Sequence, residues 1–526
     1  MFTKQVMAGC VVALFAAGAW GQESAAPHFE IIRFVIEGSS LLKSEEAQRS
    51  VAPYAGKDKS FADVQYALEA LQAAYRAVGY DAVQVILPEQ TLEQGVVRFR
   101  VIEGRIAKVR IEGNRHHDTD NVRNSIPGLI EGEAPRSRRV AASLRVANEN
   151  PSKQTSLLLK DGEKEGDIDA TFKLTDEKPQ KTFITLDNSG TSQTGRFRLG
   201  AGYQNANLFN RDHVATVQYI TSPENPSRVT VLGMGYRIPL YARGDSIDVV
   251  AGYSDVDSGT VQDLFNVSGS GSILGVRYNQ YLPRLGENYD QKVGYGLDYR
   301  AYQNRVVLAV GGGSSLVPDI TVHPFSLTYT GGWRSTGNEV GFYLGAAQNI
   351  PGGNAGTSAD FSASRTNATA SYRIYRYGAT LAHSFLSDWQ VRAQVHGQDT
   401  RDALVSGEQF GVGGADNVRG FLEREFAEDR GHRGSVEIYS PDFGDAISSV
   451  NLKLRALVFA DAADTKRTDP LPGEIAGQSV SSCGIGFRLG VGSSFSARAD
   501  FAMVLDGTNA RTSGSKVAHV SLAYIF

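Results

Sequence analysis

Cysteine is nearly absent: Cys10 and Cys483 are the two among 526 residues. Cys10 lies in an N-terminal apolar segment that processing would remove, which leaves Cys483 alone. One thiol makes neither a disulfide framework nor a zinc site, and Cys483 reads as a small residue in a strand. Long apolar runs are also missing. A polytopic helical membrane protein needs several stretches of about 20 apolar residues. Hydrophobic content of 41%, charged content of 21% and a mean hydropathy of -0.24 exclude one. The net charge of -4 gives no basic field that would attract nucleic acid. Gly311-Gly312-Gly313-Ser314-Ser315 lacks the lysine of a phosphate-binding loop. No Ser/His/Asp set stands out, so no catalytic residue, cofactor or metal is assigned. His116-His117-Asp118-Thr119-Asp120 could ligate a metal, but adjacent histidines in a polar turn read as solvated.

The first 21 residues have the form of an export signal. Lys4 supplies the positive end, Val11–Ala19 the apolar core, and Ala19-Trp20-Gly21 a small-x-small cleavage site before Gln22. Ala8-Gly9-Cys10 has too little apolar sequence ahead of it for a lipoprotein signal. An exported chain with no further transmembrane helix is either soluble in the periplasm or a barrel, since only helices and closed barrels satisfy every backbone group in lipid.

Residues 29–104 read as a small α+β module. Alternation over 29–37 places Ile32, Phe34 and Ile36 on one face, and a turn follows at Gly38. A short helix starts at Ser44 and is limited by Pro53. The clearest helix spans 61–78, with Ser60 as N-cap, Asp63 three residues on, and a stripe of Val64, Leu68, Leu71, Tyr75 and Val78. Gly79 supplies the stop. Strands at Ala82–Leu87 and Val96–Ile102 complete the module. Arg33–Gly38 is echoed about 75 residues later by Lys108–Gly113, so residues 105–177 read as a second copy. Its helices fall near Thr119–Ile126 and Ser137–Asn148, its strands near Ser156–Leu159 and Asp169–Leu174. Each copy packs two helices on a small sheet with an open edge. Glu131-Gly132-Glu133, Asp161–Asp167 and Arg136-Ser137-Arg138-Arg139 read as solvated charge runs, the last also placed to meet an acidic client or lipid head groups.

From Lys181 onward, segments of about ten alternating residues recur between turn residues, the signature of a transmembrane β-barrel. Examples are Arg196–Tyr203, Val214–Ile220, Ser246–Tyr253, Val293–Tyr302, Phe325–Trp333, Val340–Ala347, Ala368–Tyr375, Leu452–Phe459 and Ser496–Val504. The last stretch sets Val520, Leu522, Tyr524 and Phe526 on one face. The space admits about 16 antiparallel strands of about ten residues. With 57 Gly, 22 Tyr and 24 Phe against 4 Met, the composition agrees. Tyr372, Tyr375 and Tyr377 suit an aromatic girdle at the membrane interface. A soluble β-sandwich array or propeller is the alternative. Near the end of the chain a glycine cluster, Gly411, Gly413 and Gly414, leads into Val418-Arg419-Gly420-Phe421, a folded-back loop over 411–425 that carries one arginine among apolar residues. A buried arginine needs a carboxylate partner.

Taken together, these segments resemble the TpsB family, the outer-membrane transporters of two-partner secretion of the hemolysin secretion/activation type, within a superfamily that also holds barrel-assembly factors. The resemblance covers nearly all of the mature chain. Residues 29–104 resemble the first POTRA domain, with Gly79-Tyr80, Leu87-Pro88-Glu89-Gln90 and Val101-Ile102-Glu103-Gly104 in the family's places; residues 105–177 resemble the second. Asp187-Asn188-Ser189-Gly190 with Thr194-Gly195-Arg196 resembles the entry into the first barrel strand, continued by Asn207-Leu208-Phe209. Val418-Arg419-Gly420-Phe421 resembles the tip of the family's lumen loop, and precedent places a carboxylate on a late strand opposite the arginine; Phe459-Ala460-Asp461 fits, so Arg419 and Asp461 are expected to pair.

The resemblance implies α+β periplasmic POTRA domains ahead of an all-β transmembrane barrel at 178–526. Its partners would be one large secreted TpsA-type exoprotein and outer-membrane lipid, with no nucleic acid, and the chain would act as a monomer. The client would be captured at Gly79, Tyr80, Pro88 and Gln90, and its folding outside would supply the driving force. The alternatives are a barrel-assembly or insertase factor and an outer-membrane enzyme. Against the second of these, and against a passive porin, stand the capture modules. One departure from the family is that only Gln22–His28 separate the expected cleavage site from the first strand. A plug helix is therefore not carried over, which leaves open what closes the resting pore.

Overall fold

The structure, a computed structural model, describes residues 28–526 apart from 92, 193, 257–259, 262–264, 267–268, 304–317 and 448–450. The expected export signal, with Cys10, and Gly311–Ser315 lie outside the described residues. The chain divides into two compact units, residues up to Arg105 with 164–166, and the remainder.

The first unit contains β1 (Phe29–Ile31), β2 (Arg33–Glu37), α1 (Ser44–Val51), β3 (Gly56–Lys59), α2 (Phe61–Ala77), β4 (Val83–Ile86) and β5 (Val96–Glu103). Alternation over 29–37 is broken at Ile32, which is exposed; β1 pairs with β3, and β2 lies parallel to the central strand β5, with β4 antiparallel on its other side. Ser60 and Asp63 close a reciprocal capping box that fixes the start of α2. Its buried face is Val64, Ala67, Leu71 and Tyr75. Val78, expected on that stripe, is exposed because the helix has already ended and the chain turns at Gly79.

The second unit opens with the repeat: β6 (Arg105–Glu112), α3 (Thr119–Ser125), α4 (Ser137–Ala147), β7 (Lys153–Asp161) and β8 (Asp167–Asp176), with β8 central. Gly38 and Gly113 show why the two copies share a motif. Both have positive φ, 81° and 87°, and a Cβ at either would overlap a carbonyl oxygen of the central strand, Val101 in one copy and Leu174 in the other. Glycine is required twice for the same close approach.

His117 corrects the solvated reading of the histidine pair. It is 1% exposed, its Nδ1 lies 2.7 Å from Asp176, and its Nε2 lies 3.6 Å from Asp212 in a barrel turn. The same turn receives the buried Lys153, whose ammonium donates to Asp212 at 2.5 Å and to Asn121 at 2.9 Å; Tyr241 donates to Asp212 as well. Asp118 caps α3, accepting from the Asn121 N–H at 2.7 Å.

The remaining chain closes a barrel of sixteen antiparallel strands, numbered here by ordinal. The first is Gln180–Asp187, the second Arg198–Leu208, the seventh Tyr289–Gln303, and the eighth is broken at His323 into Ile320–Val322 and Pro324–Ser335. The tenth is Arg373–Ser384, the eleventh Gln390–Asp399, the twelfth Arg430–Tyr439, the thirteenth Leu452–Lys466, the fourteenth Gly477–Val491, the fifteenth Phe495–Asp506 and the sixteenth Lys516–Ile525. The sixteenth pairs with the first from Ser521↔Asp187 to Ile525↔Phe183. The fifteenth shows the alternation that a barrel requires: Phe501, Met503 and Leu505 face out, while Asp500, Ala502 and Val504 are buried inside.

Two expectations about this region are corrected. Asp187-Asn188-Ser189-Gly190 marks the exit from the first strand. Asn188 extends the closing seam with its side chain, donating to the Ala518 carbonyl and accepting from the Val520 N–H, both at 2.8 Å. The tenth strand begins at Arg373, so residues 368–372 belong to the preceding loop, and Tyr372 is fully buried against Phe361 instead of facing a membrane interface. Tyr375 and Tyr377 do point outward.

Candidate functional site

Odd-numbered strands run away from the second module, so the 30-residue connection 400–429 hangs at the far end of the barrel. It does not stay there. Phe410–Val412 pairs with Phe426–Glu428 as a short hairpin that folds inward. Gly413, Gly414 and Gly420 have φ of 109°, 121° and 95°, backbone that other residues rarely adopt. Behind the tip, Val412, Val418 and Phe421 pack on Ala463, Val480 and Val504 of the inner wall, and Phe421 meets Phe426 edge to face.

Arg419 sits at the tip, 3% exposed. Its Nε and Nη2 donate to the two oxygens of Asp461, each at 2.7 Å, and its backbone N–H donates to the same carboxylate at 3.0 Å. Nη1 reaches Glu437 at 2.6 Å and lies 3.8 Å from Asp500, and Nη2 donates to Ser435 at 3.1 Å. The guanidinium also lies 3.5 Å from the centroid of the Phe459 ring. Planar, bidentate pairing with the remaining N–H groups satisfied is what allows a charge to be buried without a large penalty. Gly420 donates its N–H to His519 Nε2 at 3.1 Å. A Cβ here would lie 3.2 Å from Val504 and 3.4 Å from Ser482, so a side chain fits at the tip only if these neighbours give by a few tenths of an ångström.

The rest of the loop is held by charge around the ring. Glu408 accepts from Arg300 of the seventh strand and from Tyr302, each at 2.7 Å, and Asp416 pairs with Arg498 of the fifteenth. Glu425 receives Arg511 at 2.9 Å. A cavity of about 800 Å³ remains between loop and wall, bordered by Arg198, Arg376, Arg433, Asp187 and Glu423. Of these anchors the sequence pattern pointed to Arg419 and Asp461. Glu437 and Ser435 stand on the neighbouring twelfth strand, and only the pairing register, Ser435↔Asp461 and Glu437↔Phe459, brings them alongside; Asp500 stands two strands away, on the fifteenth.

The four residues expected to meet a client belong to the first unit. Gly79 and Tyr80 end α2, with Tyr80 9% exposed and its N–H donated to the Tyr75 carbonyl at 3.0 Å. Gln90 donates to the Arg98 carbonyl at 2.8 Å and accepts from the Arg98 N–H at 2.7 Å, extending the sheet beyond the end of β4. Pro88 is exposed beside it.

Residues 166–489 match the family model of the haemolysin secretion/activation protein ShlB/FhaC/HecB. The chain belongs to this family. Residues 29–104 match the ShlB-type POTRA domain. The heme/hemopexin transporter protein HuxB of Haemophilus influenzae (strain ATCC 51907 / DSM 11121 / KW20 / Rd) is 22% identical over 421 residues, 77% of this chain and 71% of HuxB. The outer membrane transporter CdiB of Escherichia coli O6:K15:H31 (strain 536 / UPEC) is 28% identical over 173 residues, 33% of this chain and 29% of CdiB. The solved structure of CdiB from Escherichia coli superposes with a TM-score of 0.74 at 19% identity, covering 98% of this chain and 93% of that one. The chain is thus a TpsB-type transporter of two-partner secretion, with its barrel in the outer membrane and its POTRA region in the periplasm.

Proposed function

We propose that this transporter captures one large, unfolded exoprotein in the periplasm and passes it through its own barrel lumen to the cell surface. The observation that carries this reading is the lumen loop: it crosses the channel, yet it is held by reversible charge pairs on Glu408, Asp416 and Arg419 and by no covalent tie. Both repeats, 29–104 and 105–177, act as POTRA domains. The outer edges of β2 and β4 accept an extended client as an added strand through backbone hydrogen bonds that ignore most side-chain detail. Pro88 and Gln90 border the end of β4, and Gly79 and Tyr80 set the direction in which the chain enters it. A polar lumen then carries extended polypeptide without stranding its backbone groups. Lipid surrounds the outward apolar band, and the chain works as a monomer.

The test compares culture-medium and outer-membrane proteins of strains that are intact, deleted for this chain, or carry Arg419→Ala. Loss of one large protein from the medium, with other barrels unchanged, is the expected result for the deletion. A joint fall of many outer-membrane barrels would instead make the chain an assembly factor.

A further inference from the structure

A second group of bonds lies at the far mouth of the barrel, away from Arg419. Asp429 is the last residue of the long loop and is fully buried. Its carboxylate gathers three connections. From the loop 350–372 comes Arg365, paired through both Nη atoms, with Nη2 at 2.8 Å. Leu404 and Gln409 of the lumen loop donate at 3.0 and 3.2 Å. The Thr468 N–H, from the connection after the thirteenth strand, donates at 2.7 Å. Arg365 returns the contact, donating to the carbonyls of Leu404 at 2.5 Å and Thr468 at 3.0 Å. Behind this charge centre, the helix Ser358–Ser364 places Phe361 in a fully buried apolar cluster with Tyr302, Tyr372 and Leu404. Ala368 and Ala403 form a backbone bridge between the two loops.

We propose that the loop 350–372 and the start of the lumen loop form a lid over the outer mouth, that the Arg365–Asp429 pair is its latch, and that the lid swings open for a client to leave. Arg365 and Asp429 are positioning residues for transport. All of the latch atoms belong to connections or to their junctions with strands, so the lid can release while the sixteen-strand ring stays closed. The latch is also separate from the tip: Arg419 is bonded to the wall at Ser435, Glu437 and Asp461, and Asp429 to none of these. Opening therefore has two steps, release of the mouth and release of the tip. The inference rests on the reading of the barrel as the client's path.

The test uses the full-length chain with Ala368→Cys and Ala403→Cys in a Cys483→Ser background, reconstituted in planar lipid bilayers and, in parallel, expressed in cells. With the cystine formed, open-channel events are expected to fall at least tenfold and secretion to stop, and a thiol reductant restores both. An oxidised chain that conducts and secretes like the reduced one overturns the lid. If conductance follows the redox state while the reduced strain exports nothing, the lid stands and the transport reading fails. Asp429→Asn, checked for a folded, heat-modifiable barrel, is expected to raise the frequency of open events several-fold; an unchanged frequency in such a barrel overturns the latch.

Discussion

Arg300 and Arg498 stand on opposite walls of the barrel, on the seventh and fifteenth of sixteen strands, and both hold carboxylates of the same loop. A loop bonded to Glu408's partner on one side and to Asp416's on the other has to cross the lumen. Hydrogen bonds to charged groups are worth about 1.5–3 kcal/mol each. The crossing is therefore secure when all its anchors are made, and open to release in steps.

Arg419→Ala removes the anchor of the tip. It leaves the fully buried Asp461 and the half-buried Glu437 without their cation. Removing one partner of a buried pair costs about 3–5 kcal/mol, here paid in docking of the loop and not in closure of the ring. The expected outcome is cleavage within 411–425 by protease added outside intact cells, while the barrel keeps its heat-modifiable migration. Arg419→Lys keeps the charge but loses the two-pronged fork, and should give an intermediate cleavage rate. Equal resistance of the alanine variant and the native chain would show that the tip is held by its apolar contacts alone.

The range of each interaction decides how much of this is legible in the sequence. The barrel was legible because alternation is a local signal, and the count of strands follows from length. Arg419 and Asp461 were legible through two short strings in family-like places. Their neighbours were not: Glu437 and Ser435 join the site through strand register, which no short string encodes. Tyr372 misled for a related reason. An aromatic residue ahead of a strand looks like part of the alternation, and only the packing of Phe361 against it shows that the strand has not begun. His117 looked like a surface residue because its burial depends on Asp212, nearly a hundred positions away and in another module.

Gly420 offers a graded test of the same docking. Left-handed backbone costs a residue with a side chain about 1–2 kcal/mol, and the Cβ would press on Val504 at 3.2 Å. Gly420→Ala is expected to raise cleavage of 411–425 above the native rate but below that of Arg419→Ala, and Gly420→Val to exceed Gly420→Ala. A valine variant cut no faster than the alanine one would mean the pocket behind the tip yields freely.

Lys153 and Asp212 tie the second module to the barrel turn with atoms that water does not reach. Lys153→Met leaves Asp212 to Asn121 and Tyr241, both neutral donors. The expected outcome is faster amide hydrogen exchange across 207–213 and around β7, with exchange in the thirteenth to sixteenth strands unchanged. Removing both charges, Lys153→Met with Asp212→Asn, should recover part of the protection, because no lone buried charge then remains.

Acid acts on the same module through Asp176. Burial alone would raise this carboxyl, but the N–H groups of Arg115, His116 and His117 donate to it, and with the His117 ring they bring it down to about 2. A depressed carboxyl favours the fold above the ordinary carboxylate range and loses that contribution as the pH falls from about 4 towards 2, a difference of about 2 kcal/mol. Asp176→Asn should therefore lower the temperature at which the helical infrared band melts at pH 7, in the detergent-solubilised full-length chain. The gap between variant and native chain should shrink steadily below about pH 4. A gap that stays constant down to about pH 2 would mean that the Asp176 carboxylate charge contributes nothing, and that its neighbours hold the turn by shape.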